Sequence, residues 1–152
     1  MKYYLDTEFD GFGGKLLSIA LVREDNEAIY IILNYNVMQA REPWVRENIL
    51  PILYHVPSPM PGMLYVVNYH GEINLLLRNF FAGDKEIEIY TDWPDDVKYL
   101  CESLITGPGT MISTGDITFH IKRVDAWPND IPNAVQHNAY WDAVALKVKL
   151  TF

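Results

Sequence analysis

Within its first 34 residues the chain carries three strand-like segments separated only by short turns, and that succession narrows its fold more than any other feature. Residues 2–9 mix Tyr, Leu, Thr and Phe. Residues 16–23 (Leu-Leu-Ser-Ile-Ala-Leu-Val-Arg) and 28–34 (Ala-Ile-Tyr-Ile-Ile-Leu-Asn) are apolar and rich in strand formers. Gly11-Phe12-Gly13-Gly14 and Asp25-Asn26 supply the turns between them. Connections this short join antiparallel neighbours, so the amino-terminal third reads as a meander.

Beyond it the periodicity changes. Trp44, Val45, Ile49 and Leu53 fall at helical spacing over 43–53, with Pro51 marking a break. The stretch Pro57–Pro61 reads as a loop, and Ile73, Leu76, Leu77 and Phe80 form one stripe of a helix over 72–81. Residues 86–91 alternate as a fourth strand, followed by a helix over roughly 93–105, a fifth strand over 117–124 and a last helix over about 138–149. This order predicts an α/β protein with a ribonuclease H-like layout: a mixed central sheet, three antiparallel amino-terminal strands and helices on both faces. With 152 residues, 49% of them hydrophobic, and no linker or repeat, the chain is expected to be one domain.

Composition excludes several classes. One cysteine, Cys101, allows no disulfide within the chain and is expected to pack on a helix face. No apolar run reaches the ~18 residues of a membrane span, and the first residues lack the apolar segment of a signal peptide. A cytoplasmic location is the resulting expectation, with no membrane partner. A net charge of −8 argues against tight, long-range nucleic-acid binding. It is compatible with an enzyme that holds a chain end through metal ions, because clustered carboxylates account for part of the charge.

Two groups of residues stand out chemically. Asp6 and Glu8 lie two apart on the first strand, so both side chains point to one face. That pair is either a solvated strand face or half of a cation site, and the apolar neighbours Tyr4, Leu5 and Phe9 favour a central strand. Near the other end, His137-Asn138-Ala139-Tyr140-Trp141-Asp142-Ala143 places Asn138 as a helix N-cap, His137 just outside and Asp142 about one turn in. A loop histidine near a helical carboxylate suits a base that activates water beside a metal; it equally suits a capping turn.

Asp6-Thr7-Glu8-Phe9, a downstream Asp in a strand-to-helix segment and His-X-Ala-X-X-Asp-Ala resemble the three motifs of the DEDDh family of 3′–5′ exonucleases. Trp44-Val45-Arg46 to Leu50-Pro51 is similar to a block in its small stand-alone bacterial exoribonuclease branch. The resemblance spans nearly the whole chain. It implies a ribonuclease H-like fold and two Mg²⁺ or Mn²⁺ ions held by Asp6, Glu8, Asp142 and a second-motif Asp. It also implies His137 as general base and release of nucleoside 5′-monophosphates from an RNA or single-stranded DNA 3′ end. Family members often pair, so a homodimer is open.

The second motif offers Asp92, Asp95 and Asp96. Asp96-Val97-Lys98-Tyr99-Leu100 matches the family register, whereas Asp92 and Asp95 are read as a capping box, so Asp96 is the expected ligand. Asp92-Trp93-Pro94-Asp95-Asp96 departs from the family's usual form at this point, which bears on the local substrate contacts. Thr7, Phe9, Trp93 and Asn138 are the substrate-binding candidates. Phe9 is open between base stacking and the core, and Phe12 is assigned to the core. The alternative function is a non-catalytic metal- or nucleic-acid-binding module on the same fold.

Overall fold

The computed structural model describes residues 1–57 and 62–151. Of the expected loop, only Pro57 lies inside the described residues. Strands β1 (Lys2–Phe9), β2 (Leu16–Arg23) and β3 (Ala28–Leu33) form the anticipated antiparallel meander, with Asp6 opposite Ala20 and Ala20 opposite Tyr30. A short helix α1 (Asn34–Val37) follows. The expected 43–53 helix divides at its proline into α2 (Pro43–Asn48) and a 3₁₀ turn at Leu50–Ile52. Glu42 caps α2, accepting from the Val45 amide at 3.0 Å.

Strand β4 (Leu64–Val67) was not legible in the sequence. It pairs parallel to β3, from Tyr30 opposite Leu64 to Leu33 opposite Val67. Helix α3 (His70–Phe81), β5 (Glu86–Thr91) and helix α4 (Pro94–Leu104) come next. A small hairpin, β6 (Ile105–Gly107) with β7 (Thr110–Met111), takes up the chain where α4 stops. Strand β8 (Asp116–Ile121) ends three residues earlier than expected, and helix α5 (Ala139–Thr151) closes the fold.

The six-stranded sheet has the order β4-β3-β2-β1-β5-β8. β5 pairs parallel to β1, and β8 parallel to β5, so the sheet is mixed. Alternation along β1 splits its side chains between two cores. Tyr3 and Leu5 join Ile19, Leu21, Ile87 and Ile89 beneath α3 and α4, packing against Leu77, Phe81, Leu100 and Leu104. On the other face Ala20, Val22, Tyr30 and Ile32 pack against Ala139 and Ala143 of α5. The sheet is thus flanked by helices on both sides, an α/β arrangement compatible with a ribonuclease H-like fold. Among the described residues no helix is long and apolar enough to cross a membrane.

Candidate metal centre

Asp6 and Glu8 are on the α5 side of β1, as their spacing predicts. Three alanines bring the last helix down on them. Ala20 sits beside Asp6 in the sheet, and Ala139 and Ala143 are the buried residues of α5 that pack in the same cluster. Without bulk between strand and helix, Asp142 reaches the β1 carboxylates. Carboxylate oxygens of Asp6, Glu8 and Asp142 lie within 4.8 Å of one another.

A second group shares Asp6. Oxygens of Asp6, Asp92 and Asp96 also lie within 4.8 Å of one another. The parallel pairing of β1 and β5 explains Asp92: Tyr4 is opposite Tyr90, and two residues further on the same face come Asp6 and Asp92. The capping-box reading of Asp92 and Asp95 is therefore corrected. The residue at the N-cap of α4 is Trp93, which makes no side-chain cap bond. Asp95 belongs to neither carboxylate group and accepts from the Trp93 indole N–H at 3.0 Å. The repeated Tyr-X-Asp of 4–6 and 90–92 was the available signal, but its meaning depends on a strand register that neither segment contains.

Asp96 is held from two strands. Its Oδ1 accepts from the Thr7 hydroxyl and its Oδ2 from the Thr91 hydroxyl, each at 2.5 Å, and the residue is only 2% exposed. Each oxygen keeps a second lone pair for a cation. Thr7, a substrate-binding candidate by sequence, lines the same cavity as the carboxylates, and its hydroxyl orients Asp96.

His137 adopts a left-handed backbone conformation, φ 65°, in which histidine is among the better tolerated residues. Its backbone N–H donates to Asp142 Oδ2 at 3.1 Å. Its ring meets the Trp44 ring edge-on, with centroids 4.9 Å apart and planes at 82°. The imidazole and all five carboxylates just described line one cavity of about 600 Å³.

Electrostatics set this cluster apart. Burial pushes Asp96 and Asp142 up to about 7, with the Thr7 and Thr91 hydrogen bonds opposing the shift at Asp96. Burial, and then the neighbouring carboxylates, hold Asp6 and Glu8 well above the usual range; a hydrogen bond with Asp142 adds to the effect at Glu8. Burial also raises Asp92, with Arg123 opposing. Asp6 Oδ2 is shut off from solvent and has no hydrogen-bond partner. A buried carboxylate oxygen without donor or cation is costly, and a divalent ion between two such groups relieves both burial and mutual repulsion. All-oxygen donors of this kind fit Mg²⁺ or Mn²⁺ better than zinc. The residues present therefore fit a divalent cation.

The remaining candidates divide. Asn138 is 1% exposed and works structurally. Its side chain donates to the Ile52 carbonyl at 3.0 Å and accepts from the Trp141 amide at 3.3 Å, the N-cap bond expected of it. Phe9 stacks on Tyr99, with centroids 4.7 Å apart, and packs against the α4-side core while still lining the cavity. Phe12 is not in the core: it is 97% exposed. It is displayed by a tight turn in which any Cβ on Gly14 would fall 1.9 Å from the Asp10 carbonyl oxygen. Trp93 projects over the cavity. Of the four basic residues that sequence offers for phosphate contact, Arg46, Lys122, Arg123 and Lys147, only Arg123 lines this cavity; Trp44 as a neighbour of His137 and the wall of residues 124–127 were not legible. No protein-family model matches the chain, and no curated protein matches it.

Proposed function

We propose that this protein is a metal-dependent 3′–5′ exonuclease that releases nucleoside 5′-monophosphates from RNA or single-stranded DNA. The observation that carries the reading is Asp6. It belongs to two carboxylate groups at once, one oxygen is buried without a partner, and a histidine lines the same cavity. The motif resemblance of the sequence supports the same activity.

In this mechanism Asp6, Glu8 and Asp142 would hold one cation, and Asp6, Asp92 and Asp96 would hold a second. When bound, such ions supply Lewis-acid polarisation of the phosphodiester and stabilise charge on the attacking and departing oxygens. The protein's own part is positioning and proton transfer. Asp142 fixes the turn at His137 through the backbone, Trp44 limits rotation of the ring, and the imidazole accepts a proton from the attacking water. Water oxygen bonds to phosphorus, the bond from phosphorus to the upstream 3′ oxygen breaks, and that oxygen takes a proton from solvent water and leaves as a hydroxyl, while the imidazolium returns its proton to solvent. The terminal nucleoside fits a smaller adjoining cavity of about 340 Å³, edged by Phe9, Phe12 and Trp44, where Phe12 offers a stacking face.

The test uses matched RNA and DNA oligomers labelled at the 5′ end, with Mg²⁺, Mn²⁺ or excess chelator. The expected product is a ladder that shortens from the 3′ end only when a divalent ion is present. Full cleavage in chelator, or cutting of a circular strand, overturns the reading. Cation-dependent stabilisation without turnover on any oligomer favours the non-catalytic binding module.

A further inference from the structure

The carboxylates occupy one side of a cleft whose other side carries an arginine and a tryptophan beside a single carboxylate, Asp125. Past β8 the chain leaves the sheet, and residues 123–127 line the same 600 Å³ cavity. Apart from His137, Arg123 is the one basic residue on its lining among the described residues. The guanidinium lies 5.0 Å over the Trp93 ring and enters none of the salt bridges among the described residues. Trp127 on the same wall is 58% exposed and Trp93 is 47% exposed. The adjoining 340 Å³ cavity lies across Trp93, which lines both, and has Glu8, Glu42 and Asp95 but no basic residue.

A nucleic-acid strand shortened one nucleotide at a time is equally lopsided about the bond that breaks. The released side is a nucleoside with a free 3′ hydroxyl and no further phosphate. The retained side carries a phosphate 5′ of every sugar. An acidic cavity without a cation suits the first, and a wall with a free guanidinium and a half-exposed indole suits the second. We infer that residues 123–127, with Trp93, form the subsite for the retained strand. Arg123 binds the phosphate 5′ of the nucleotide next to the broken bond, and the Trp127 indole stacks on that nucleotide's base. The Trp93 ring holds the guanidinium in place from beneath. The inference rests on the nuclease reading for the direction of the strand, and it explains how a chain of net charge −8 gains hold of a polyanion through one local contact.

The experiment measures equilibrium binding of a trinucleotide with a 5′ phosphate and of a nucleoside 5′-monophosphate. Both are measured in Ca²⁺, on the wild type and on the variants Arg123→Ala, Arg123→Lys and Trp127→Ala. The wild type is expected to prefer the trinucleotide. Arg123→Ala and Trp127→Ala should each lower that preference about tenfold, the scale of one stacked base or one charge-assisted contact. Arg123→Lys should restore part of it by supplying a charge without the planar fork. Both side chains are exposed, so the melting temperatures should match the wild type. A preference unchanged in both alanine variants overturns the subsite, as does an equal loss for the two ligands. Trinucleotide binding with the expected losses but no cleavage in Mg²⁺ or Mn²⁺ keeps the subsite and sinks the nuclease reading. Cleavage with an unmoved preference does the reverse.

Discussion

The Thr7 hydroxyl and the Asp96 carboxylate, 2.5 Å apart, join the strand that carries Asp6 and Glu8 to a helix on the opposite face of the sheet. Because side chains alternate along β1, one strand supplies two carboxylates to the α5 side and the orienting hydroxyl to the α4 side. Thr7→Val keeps the shape and removes the donor. It should lower stability by about 1–3 kcal/mol, the range for stripping a partner from a buried polar group. It should also weaken divalent-ion binding, because Asp96 loses one of two constraints. Thr7→Ser should retain most of both. Thermal melts with and without Mn²⁺ measure the two effects, and a valine variant equal to wild type in both would remove the tether from the account.

The carboxylate cluster makes the metal-free protein sensitive to pH in an unusual direction. Asp96 and Asp142 are pushed by burial from 3.8 to about 7, and Asp6 and Glu8 are raised as well. A carboxyl whose pKa is higher folded than unfolded binds more protons when folded, so stability falls as pH rises between the two values. Asp25, lowered to about 2 by hydrogen bonds from Arg23, acts only below that window. In chelator the melting temperature should therefore be higher at about pH 5 than at about pH 8. Saturating Mg²⁺ or Mn²⁺ should reverse the slope, adding about 3 kcal/mol at a hundredfold excess over the dissociation constant. A chelated protein whose melting temperature climbs across this range would contradict the cluster.

Asp92 and Asp96 both approach Asp6, so neutralising either should reduce cation-dependent stabilisation. Asp96→Asn also disturbs two threonine hydroxyls and should unfold the protein at a lower temperature. Asp92→Asn leaves the buried network intact and isolates the ligand role. Calorimetric titration with Mn²⁺ is the measurement. Full binding stoichiometry in Asp92→Asn would leave Asp96 as the second-motif ligand without Asp92.

His137 can be tested with little backbone strain by replacing it with asparagine, which tolerates the left-handed conformation that alanine resists. His137→Asn should bind cations as the wild type does and slow single-turnover cleavage by about 10²–10⁴, the usual contribution of a general base. Cleavage at the wild-type rate would send the search for the base elsewhere. Loss of cation binding would make the turn at residue 137 structural.

The strands were legible because β1, β2, β3 and β5 carry their burial pattern in consecutive residues, and Asp6, Glu8, His137 and Asp142 because each group sits within one short segment. β4 escaped because four residues, Leu64–Val67, are too few for a period to declare itself. Asp92 escaped because its role comes from the register between Tyr4 and Tyr90, a property of two distant segments together. Phe12 was assigned to the core on hydrophobicity alone, whereas the glycines around it fix a turn that turns its ring outward. Arg123 and Trp127 lie in irregular chain after β8, where no periodicity tells which way a side chain faces.

The docking of α5 on β1 also has a meaning in time. Asp142 is made 136 residues after Asp6, and the two meet only after the last helix settles on the sheet. Until then Asp6 and Glu8 lack the third carboxylate of their group, and His137 lacks the bond to Asp142 that fixes its turn. The cation site is therefore among the last features of the molecule to be completed, and a half-made chain carries only part of it.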